Sequence, residues 1–252
     1  MLRYLLLRNP GHNRVYYLES EKLALAELTL TTKRFEQPCD EIQSVDIAGI
    51  NYLSFTIGQV LSEAELKWLS NLSFIFALYQ QSADTPESVL HPVELTPPGY
   101  VDPKISMLLK YSGKTNEIFT RMMVNVGLLS SDFGFDESFQ MLDPVAGKGT
   151  TLFEGAVRGF DVTGIEMERK MVHDSTIFFK KFLEQDKYKH TLSKHAMYSS
   201  STGSEAFIQL FEYAPDKQSF KLETSRKHLA IIGGNAIHSR RYFKVEKFHL
   251  IV

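Results

Sequence analysis

Alternating apolar and polar positions predict short strands and helices across the first 80 residues. Runs rich in β-forming residues predict four strands, at residues 4–9, 42–48, 51–58 and 73–80. Helical spacing predicts one helix over Leu18–Leu28 and a second one after a Ser-x-x-Glu capping box that begins at Ser62. The resulting order, β-α-β-β-α-β, is the ferredoxin-like pattern. We therefore expect residues 1–81 to form a small, ferredoxin-like α+β domain.

A proline-rich stretch separates this region from the rest of the chain. Residues 82–103 contain five of the nine prolines. Each proline fixes its own φ angle and disfavours helix at the preceding residue. We interpret the stretch as a linker or an extended crossing segment that marks a domain boundary.

Beyond the linker, strand and helix patterns alternate as in an α/β domain. The predicted elements are helices at 116–129, 150–158 and 168–185, and strands at 139–142, 161–165, 229–232 and 248–252. Residues 105–111 fit either a strand or a tight entry into the domain. We expect an insertion at about 186–226, with a hairpin formed by residues 206–213 and 219–225. The pattern therefore predicts one α/β domain over residues 104–252.

Composition limits the classes of protein to which the chain can belong. Hydrophobic residues make up 43% and charged residues 23%, which is ordinary for a globular protein. The chain has no apolar run of the roughly 18 residues that a membrane span needs. Cys39 is the only cysteine, which excludes an internal disulfide and a cysteine-rich metal site. The histidines show no ligand spacing, so we expect no metal, and we expect a cytoplasmic protein.

The charge is unevenly distributed along the chain. Residues 217–247 carry eight lysines and arginines against two glutamates, although the net charge of the whole chain is −2. A basic face that includes Arg240, Arg241 and Lys244 would attract a nucleic-acid backbone. A solvated surface with a local excess of positive charge is the alternative.

The stretch most informative about function is Phe139–Thr151, an apolar strand followed by small residues around one lysine. A Walker phosphate loop would need glycine at position 142 and Ser or Thr at position 149. The chain has Leu142 and Gly149 there, so we exclude that loop. A dinucleotide loop matches at Gly147 and Gly149, but its third glycine position holds Leu152. The pattern fits a nucleotide-like ligand at a helix N-terminus and disfavours NAD.

The sequence DPVAGKGTTL, Asp143–Leu152, resembles motif I of class I S-adenosylmethionine-dependent methyltransferases. Its form, Asp-Pro-x-x-Gly-x-Gly-Thr, is similar to that of amino-methyltransferases acting on RNA or DNA bases. The resemblance implies a Rossmann-like domain with S-adenosylmethionine as cofactor. The helix N-terminus would face the cofactor carboxylate, and Asp143 would hold its α-ammonium group. Lys148 is expected to contribute its backbone rather than its amine.

An acidic residue follows the loop at a suitable distance. Glu166 comes at the end of the next predicted strand, 19 residues after Gly147. In nucleotide-binding β-α-β units, an acid about 20 residues downstream binds the ribose hydroxyls. We expect Glu166 to do the same for the cofactor.

Two further stretches extend the resemblance. Lys110–Asn116 is similar to the segment before motif I in tRNA guanine methyltransferases that modify an exocyclic amine, in the THUMP-associated RNA methylase family and its bacterial relatives. In that family a Thr-Asn pair opens a helix that lines the cofactor pocket, although Thr115 and Asn116 would also serve as plain helix caps. Asn235 stands where a Gly-Asp pair usually contacts the adenine, and its amide oxygen can still accept a hydrogen bond. The implied cofactor-binding set is Thr115, Asn116, Asp143, Pro144, Ala146, Gly147, Gly149, Thr150, Glu166 and Asn235.

The resemblance also implies a motif that the sequence does not contain. In this family the strand at 248–252 runs into an Asp/Asn-Pro-Pro-Tyr-type motif, which holds the target amine and stacks on the base. No such motif occurs up to Val252, so the catalytic residues stay unknown, and we expect an N-terminal portion of a longer enzyme or a truncated relative. The implied function is methylation of an exocyclic amine of a nucleic-acid base, in tRNA or other structured RNA. A DNA amino-methyltransferase and a non-catalytic module that binds cofactor or RNA are the alternatives.

Overall fold

The computed structural model describes residues 1–10, 14–82, 89–111, 113–134, 139–198, 206–243 and 248–252. The chain divides into two compact units. The N-terminal unit comprises Met1–Pro98 and Asn125–Asp132, and the C-terminal unit comprises Gly99–Val124 and Phe133–Val252. Each unit contains one β-sheet, so the protein is a mixed α/β protein with two sheets.

The N-terminal unit contains a five-stranded sheet in which every pair of neighbouring strands is antiparallel. Its strands are β1 (Leu2–Arg8), β2 (Cys39–Ile47), β3 (Ile50–Ile57), β4 (Ile75–Gln81) and β5 (Leu90–Val93), and its helices are α1 (Arg14–Glu19), α2 (Glu21–Thr32) and α3 (Glu63–Ser70). The strand order is β2-β3-β1-β4-β5. The predicted element order is confirmed, with the first helical connection divided at Ser20. The predicted capping box is also present, because Ser62 and Glu65 each accept a hydrogen bond from the other's backbone amide.

Helices α2 and α3 pack on one face of the sheet of the N-terminal unit. Tyr4 and Leu6 point to this face from β1, because side chains two residues apart share a side of a strand. They are fully buried and belong to one core with Leu28 of α2 and Phe55 of β3. Within the proline-rich stretch 82–103, strand β5 pairs with β4 at the edge of the sheet, where Pro92 is tolerated because its missing N–H faces no further strand.

The C-terminal unit contains a six-stranded mixed sheet. Its strands are β6 (Gln140–Asp143), β7 (Asp161–Glu166), β8 (Lys189–Tyr198), β9 (Ala206–Ala214), β10 (Lys227–Gly233) and β11 (Leu250–Ile251). The further helices of the chain are α4 (Ile105–Leu108), α5 (Glu117–Leu129), α6 (Thr150–Val157), α7 (Arg169–Gln185), α8 (Lys217–Lys221) and α9 (Ser239–Phe243), with a 3-10 turn at Ala236–His238. The strand order is β11-β6-β7-β10-β9-β8. The first four strands in this order are parallel, and β9 and β8 continue the sheet antiparallel.

This order creates a topological switch point at β6. From β6 the chain passes through α6 to β7 and later to β10 on one side, whereas β11 pairs with β6 on the other side. In open parallel sheets, ligands bind outside the carboxyl ends of the strands at such a point. The carboxyl end of β6 is therefore the place in this unit where the topology favours a ligand.

A glycine allows α6 to pack closely on the sheet. A Cβ atom added at Gly155 would lie 2.5 Å from Val162 Cγ1 and 2.6 Å from Met141 Cε. Any larger residue would therefore separate the helix from β6 and β7. This close packing fixes the loop that joins β6 to α6.

The predicted hairpin of residues 206–213 and 219–225 is wrong. Strand β9 pairs instead with β8 on one side and with β10 on the other. The residues after β9 turn into the short helix α8, because the Asp216 side chain accepts hydrogen bonds from the amides of Gln218 and Ser219. Residues 105–108 are helical rather than extended. Among the described residues, no helix is both long and apolar enough to cross a membrane.

Candidate functional site

A cleft of about 540 Å³ lies at the carboxyl end of β6. This volume is within the range of about 300–1,000 Å³ that is usual for small-molecule sites. Five of the predicted cofactor residues line it: Thr115, Asp143, Ala146, Gly147 and Thr150. The other residues around it are Tyr111, Gly113, Val145, Lys148, Thr151 and Met171.

The loop between β6 and α6 has a backbone that two glycines make accessible. Gly147 and Gly149 have φ angles of 54° and 90°, in the left-handed region that glycine adopts without strain. The amide of Ala146 donates to the carbonyl of Ile165 at 2.9 Å, which ties the loop to β7. Gly149 occupies the N-cap of α6 and supplies no side-chain oxygen, so no side chain caps the first amides of the helix. These amides and the helix dipole favour a negatively charged group at this end.

Asp143 provides a buried carboxylate at the bottom of the cleft. The side chain is only 6% exposed, and its Oδ1 accepts a hydrogen bond from the amide of Val145 at 2.9 Å. Burial raises the pKa of the Asp143 carboxyl, and hydrogen bonds from Val145 and Thr151 oppose that rise only in part. A cationic ligand would stabilise the ionised form of this carboxylate. The cleft therefore presents amide donors on the loop and an anionic acceptor below it.

Glu166 is held against the same loop. Its Oε2 accepts from the amide of Gly147 at 2.9 Å, and its Oε1 accepts from the amide of Glu168 at 2.6 Å. The amide of Gly234 donates to the Glu166 carbonyl at 3.0 Å, so the end of β10 lies beside the end of β7. The structure thus brings the predicted acid into direct contact with the glycine loop.

Two predicted residues act as caps. The Asn116 Oδ1 accepts from the amides of Ile118 and Phe119, at 2.9 and 3.2 Å, and thereby caps α5. The Asn235 Oδ1 accepts from the amide of Ile237 at 3.0 Å and caps the 3-10 turn after β10. Each of these oxygens can accept a hydrogen bond from a ligand only by giving up or sharing a capping bond, whereas the side-chain amide nitrogens take no part in the capping. Pro144 and Gly149 shape the loop without lining the cleft.

The structure adds a group of side chains that the sequence did not indicate. The Lys148 amine forms an ion pair of 2.9 Å with Asp174 of α7 and lies 5.3 Å from the centre of the Tyr111 ring. The Tyr111 hydroxyl is 3.1 Å from the hydroxyl of Thr150. The Lys148 ammonium lowers the pKa of the Asp174 carboxyl. These contacts connect the glycine loop to the segment before α5 and to α7, and no spacing in the sequence indicates them.

The predicted basic face is only partly described. Arg240 and Arg241 are exposed on α9, whereas Lys244 lies outside the described residues. Part of the positive charge of 217–247 is compensated locally, because Arg226 pairs with Glu212 at 3.6 Å. In the described ranges no group of three or more His, Cys, Asp or Glu side chains is arranged to hold a metal ion.

The comparisons with known proteins add no family to this geometry. No protein-family model matches the chain, and no curated protein matches it either.

Proposed function

We propose that the cleft binds S-adenosylmethionine and that the chain is a methyltransferase with a Rossmann-like catalytic domain and a ferredoxin-like N-terminal domain. One observation carries this proposal. A glycine loop at the switch point of a parallel sheet contacts a buried Asp143 below it and the carboxylate of Glu166 beside it. The pairing of amide donors with two carboxylates fits a ligand that carries both a carboxylate and an ammonium group as well as ribose hydroxyls.

The predicted residues in the cleft and beside it have distinct roles in this proposal. Asp143 would accept from the α-ammonium group, and the free amides at the start of α6 would donate to the carboxylate. Glu166 would accept from the ribose hydroxyls, and Thr115 and Thr150 would bound the cleft. Asn116 and Asn235 would contribute their amide nitrogens, because their oxygens are used in capping. The cofactor would supply an electrophilic methyl group, and the chain would supply its binding and orientation.

The proposed acceptor is an exocyclic amine of a base in tRNA or other structured RNA, in the cytoplasm. Basic side chains such as Arg240 and Arg241 would contact the RNA backbone. We infer this acceptor from the resemblance of the sequence motifs to those of RNA methyltransferases. A DNA base as acceptor, or cofactor binding without methyl transfer, would leave the proposed role of the cleft intact.

Isothermal titration calorimetry with S-adenosylhomocysteine tests the proposal. The wild-type chain should bind, and Glu166→Ala should weaken binding about tenfold or more, because two hydroxyl hydrogen bonds to a charged group are lost. Glu223→Ala is the matched control, since it removes an exposed carboxylate from the segment after α8. A folded wild-type chain that does not bind, or equal affinities for the wild type and Glu166→Ala, would refute the proposal.

A further inference from the structure

A second concave site lies on the C-terminal unit, between α7 and the β8–β9 hairpin. This groove has a volume of about 190 Å³ and is lined by Arg169, Val172, His173, Lys194, Phe207 and Gln209. It is separate from the cofactor cleft, with which it shares no lining residue. Three of its six side chains are basic and none is acidic. Its composition therefore favours an anionic ligand.

The local structure explains why these side chains converge. Arg169 and His173 are four residues apart on α7, so they lie one turn apart on the same side of the helix. Lys194 of β8 is paired with Gln209 of β9, and Phe207 lies two residues before Gln209 on the same face of the sheet. The edge of the sheet and the first turns of α7 thus form the two walls of the groove.

The two strongest cations of the groove are held in place by an aromatic ring rather than by an acid. The Lys194 amine lies 4.6 Å from the centre of the Phe207 ring, and the Arg169 guanidinium lies 5.9 Å from it. Within the described part of the chain, neither cation forms an ion pair. Both side chains are exposed. Their positive charge is consequently available to a ligand, and contact with the ring reduces the entropy that binding would cost.

Two other cations of this unit, Lys104 and Arg226, pair with carboxylates. Lys104 pairs with Asp186 at 2.8 Å, and Arg226, which lies over the Phe220 ring, pairs with Glu212 at 3.6 Å. Asp174 follows His173 on α7, but its carboxylate is paired with Lys148. The groove differs from these sites because, among the residues that the structure describes, no carboxylate pairs with its arginine or its lysine.

The geometry points to this groove as a contact site for the phosphate backbone of the RNA substrate. This inference rests on the proposed function, which supplies a nucleic-acid partner. Arg169 lies three residues after Glu166, so the groove begins at the same edge of the sheet as the proposed cofactor site. A backbone that crosses α7 here would direct a neighbouring nucleotide towards that edge. Arginine and lysine side chains are common donors to phosphate oxygens.

A salt series of tRNA binding tests the inference. Fluorescence anisotropy with labelled bulk tRNA would give the affinity of the full chain at several salt concentrations. Near 0.1 M salt, the double variant Arg169→Gln, Lys194→Gln should bind tRNA more weakly, by on the order of 5- to 10-fold for each phosphate contact that is lost. The slope of log affinity against log salt should become shallower by about one to two.

A control with the same loss of charge distinguishes the groove from general electrostatics. Lys181 and Lys187 are exposed at the other end of α7 and beyond it, and neither lines the groove. The double variant Lys181→Gln, Lys187→Gln should therefore retain more affinity and a steeper slope than the groove variant. Equal losses in the two double variants, or a wild-type chain without affinity for tRNA, would overturn the inference.

The cofactor assay separates this inference from the proposed function. The groove variant should bind S-adenosylhomocysteine with wild-type affinity, because its side chains do not line the cofactor cleft. If S-adenosylhomocysteine binds and tRNA binding does not depend on the groove, the inference fails and the cofactor site stands. If S-adenosylhomocysteine does not bind at all, the proposed function fails, and the salt series still decides whether the groove contacts RNA.

Discussion

Gly164 of β7 is the position where a single added methyl group should damage both the fold and the proposed cofactor site. A Cβ atom at this position would lie 2.7 Å from the Ala146 Cβ and 2.7 Å from the Leu152 Cδ1. The Leu152 side chain can rotate, but Ala146 belongs to the glycine loop and is fixed to β7 by the hydrogen bond to Ile165. The substitution Gly164→Ala must therefore push the loop away from the sheet.

The expected cost follows from overpacking. Added methyl groups in well-packed interiors typically cost about 1–3 kcal/mol. For a chain of this size, each kcal/mol lowers the melting temperature by roughly 2–4 °C. Because the displaced loop lines the cleft, we also expect the affinity for S-adenosylhomocysteine to fall by about tenfold, equivalent to about 1.4 kcal/mol.

Differential scanning calorimetry and ligand titration would measure both effects. Gly99→Ala is the matched control, because a Cβ atom there would meet nothing within 4 Å and the backbone is outside the left-handed region. Its stability should stay within about 0.5 kcal/mol of the wild type. A Gly164→Ala variant with the wild-type melting temperature and affinity would refute the packing of the loop against β7.

Three further predictions concern charged groups of the C-terminal unit. The affinity for S-adenosylhomocysteine should fall as pH decreases through the raised pKa of Asp143, because a protonated carboxyl cannot pair with the ammonium group of the ligand. Ligand titrations of the Asp143→Asn variant should show no such pH dependence. The hydrogen bond to Asp161 raises the pKa of His228 above its ordinary value of 6.5. The imidazolium therefore stabilises the fold fully when the pH is below 6.5, and this stabilisation is lost as the pH rises through the raised pKa. Urea unfolding of His228→Gln should thus show a loss of up to about 1 kcal/mol in acid and little in base. Glu154→Gln should cost about 3–5 kcal/mol in the same assay, because it removes a fully buried negative charge that pairs with Arg158 at 3.3 Å and with Arg121 at 3.1 Å. A loss below about 1 kcal/mol would contradict this.

The elements next to the glycine loop are predictable because their signals are local. Strand β6, the glycine turn, helix α6 and strand β7 follow one another within 30 residues. The apolar residues of the strands and of the helix have the spacing that is typical of each element. Glu166 could be selected because its offset from Gly147 is set by the length of one helix and one strand. Its contact with the Gly147 amide agrees with that selection. The residues Asp143, Ala146, Gly147 and Thr150 come together for the same reason.

The features that sequence reasoning missed depend on distant pairing. Strand β9 could pair with the residues before it or with those after it. Its own pattern of apolar and polar residues does not indicate that it pairs with both β8 and β10. The ion pair of Lys148 with Asp174 joins residues from two elements whose relative placement the sheet decides. The groove beside Phe207 combines α7 with two strands of the insertion. Long-range contacts of this kind become visible only in the folded chain.

A crystal structure of the chain grown with S-adenosylhomocysteine tests the central claim most directly. We predict electron density for the ligand in the cleft at the end of β6. Its ammonium group should lie within hydrogen-bond distance of Asp143, and its ribose should lie beside Glu166. Density for the ligand at any other site, or a cleft without ligand at concentrations that saturate binding in solution, would contradict the account.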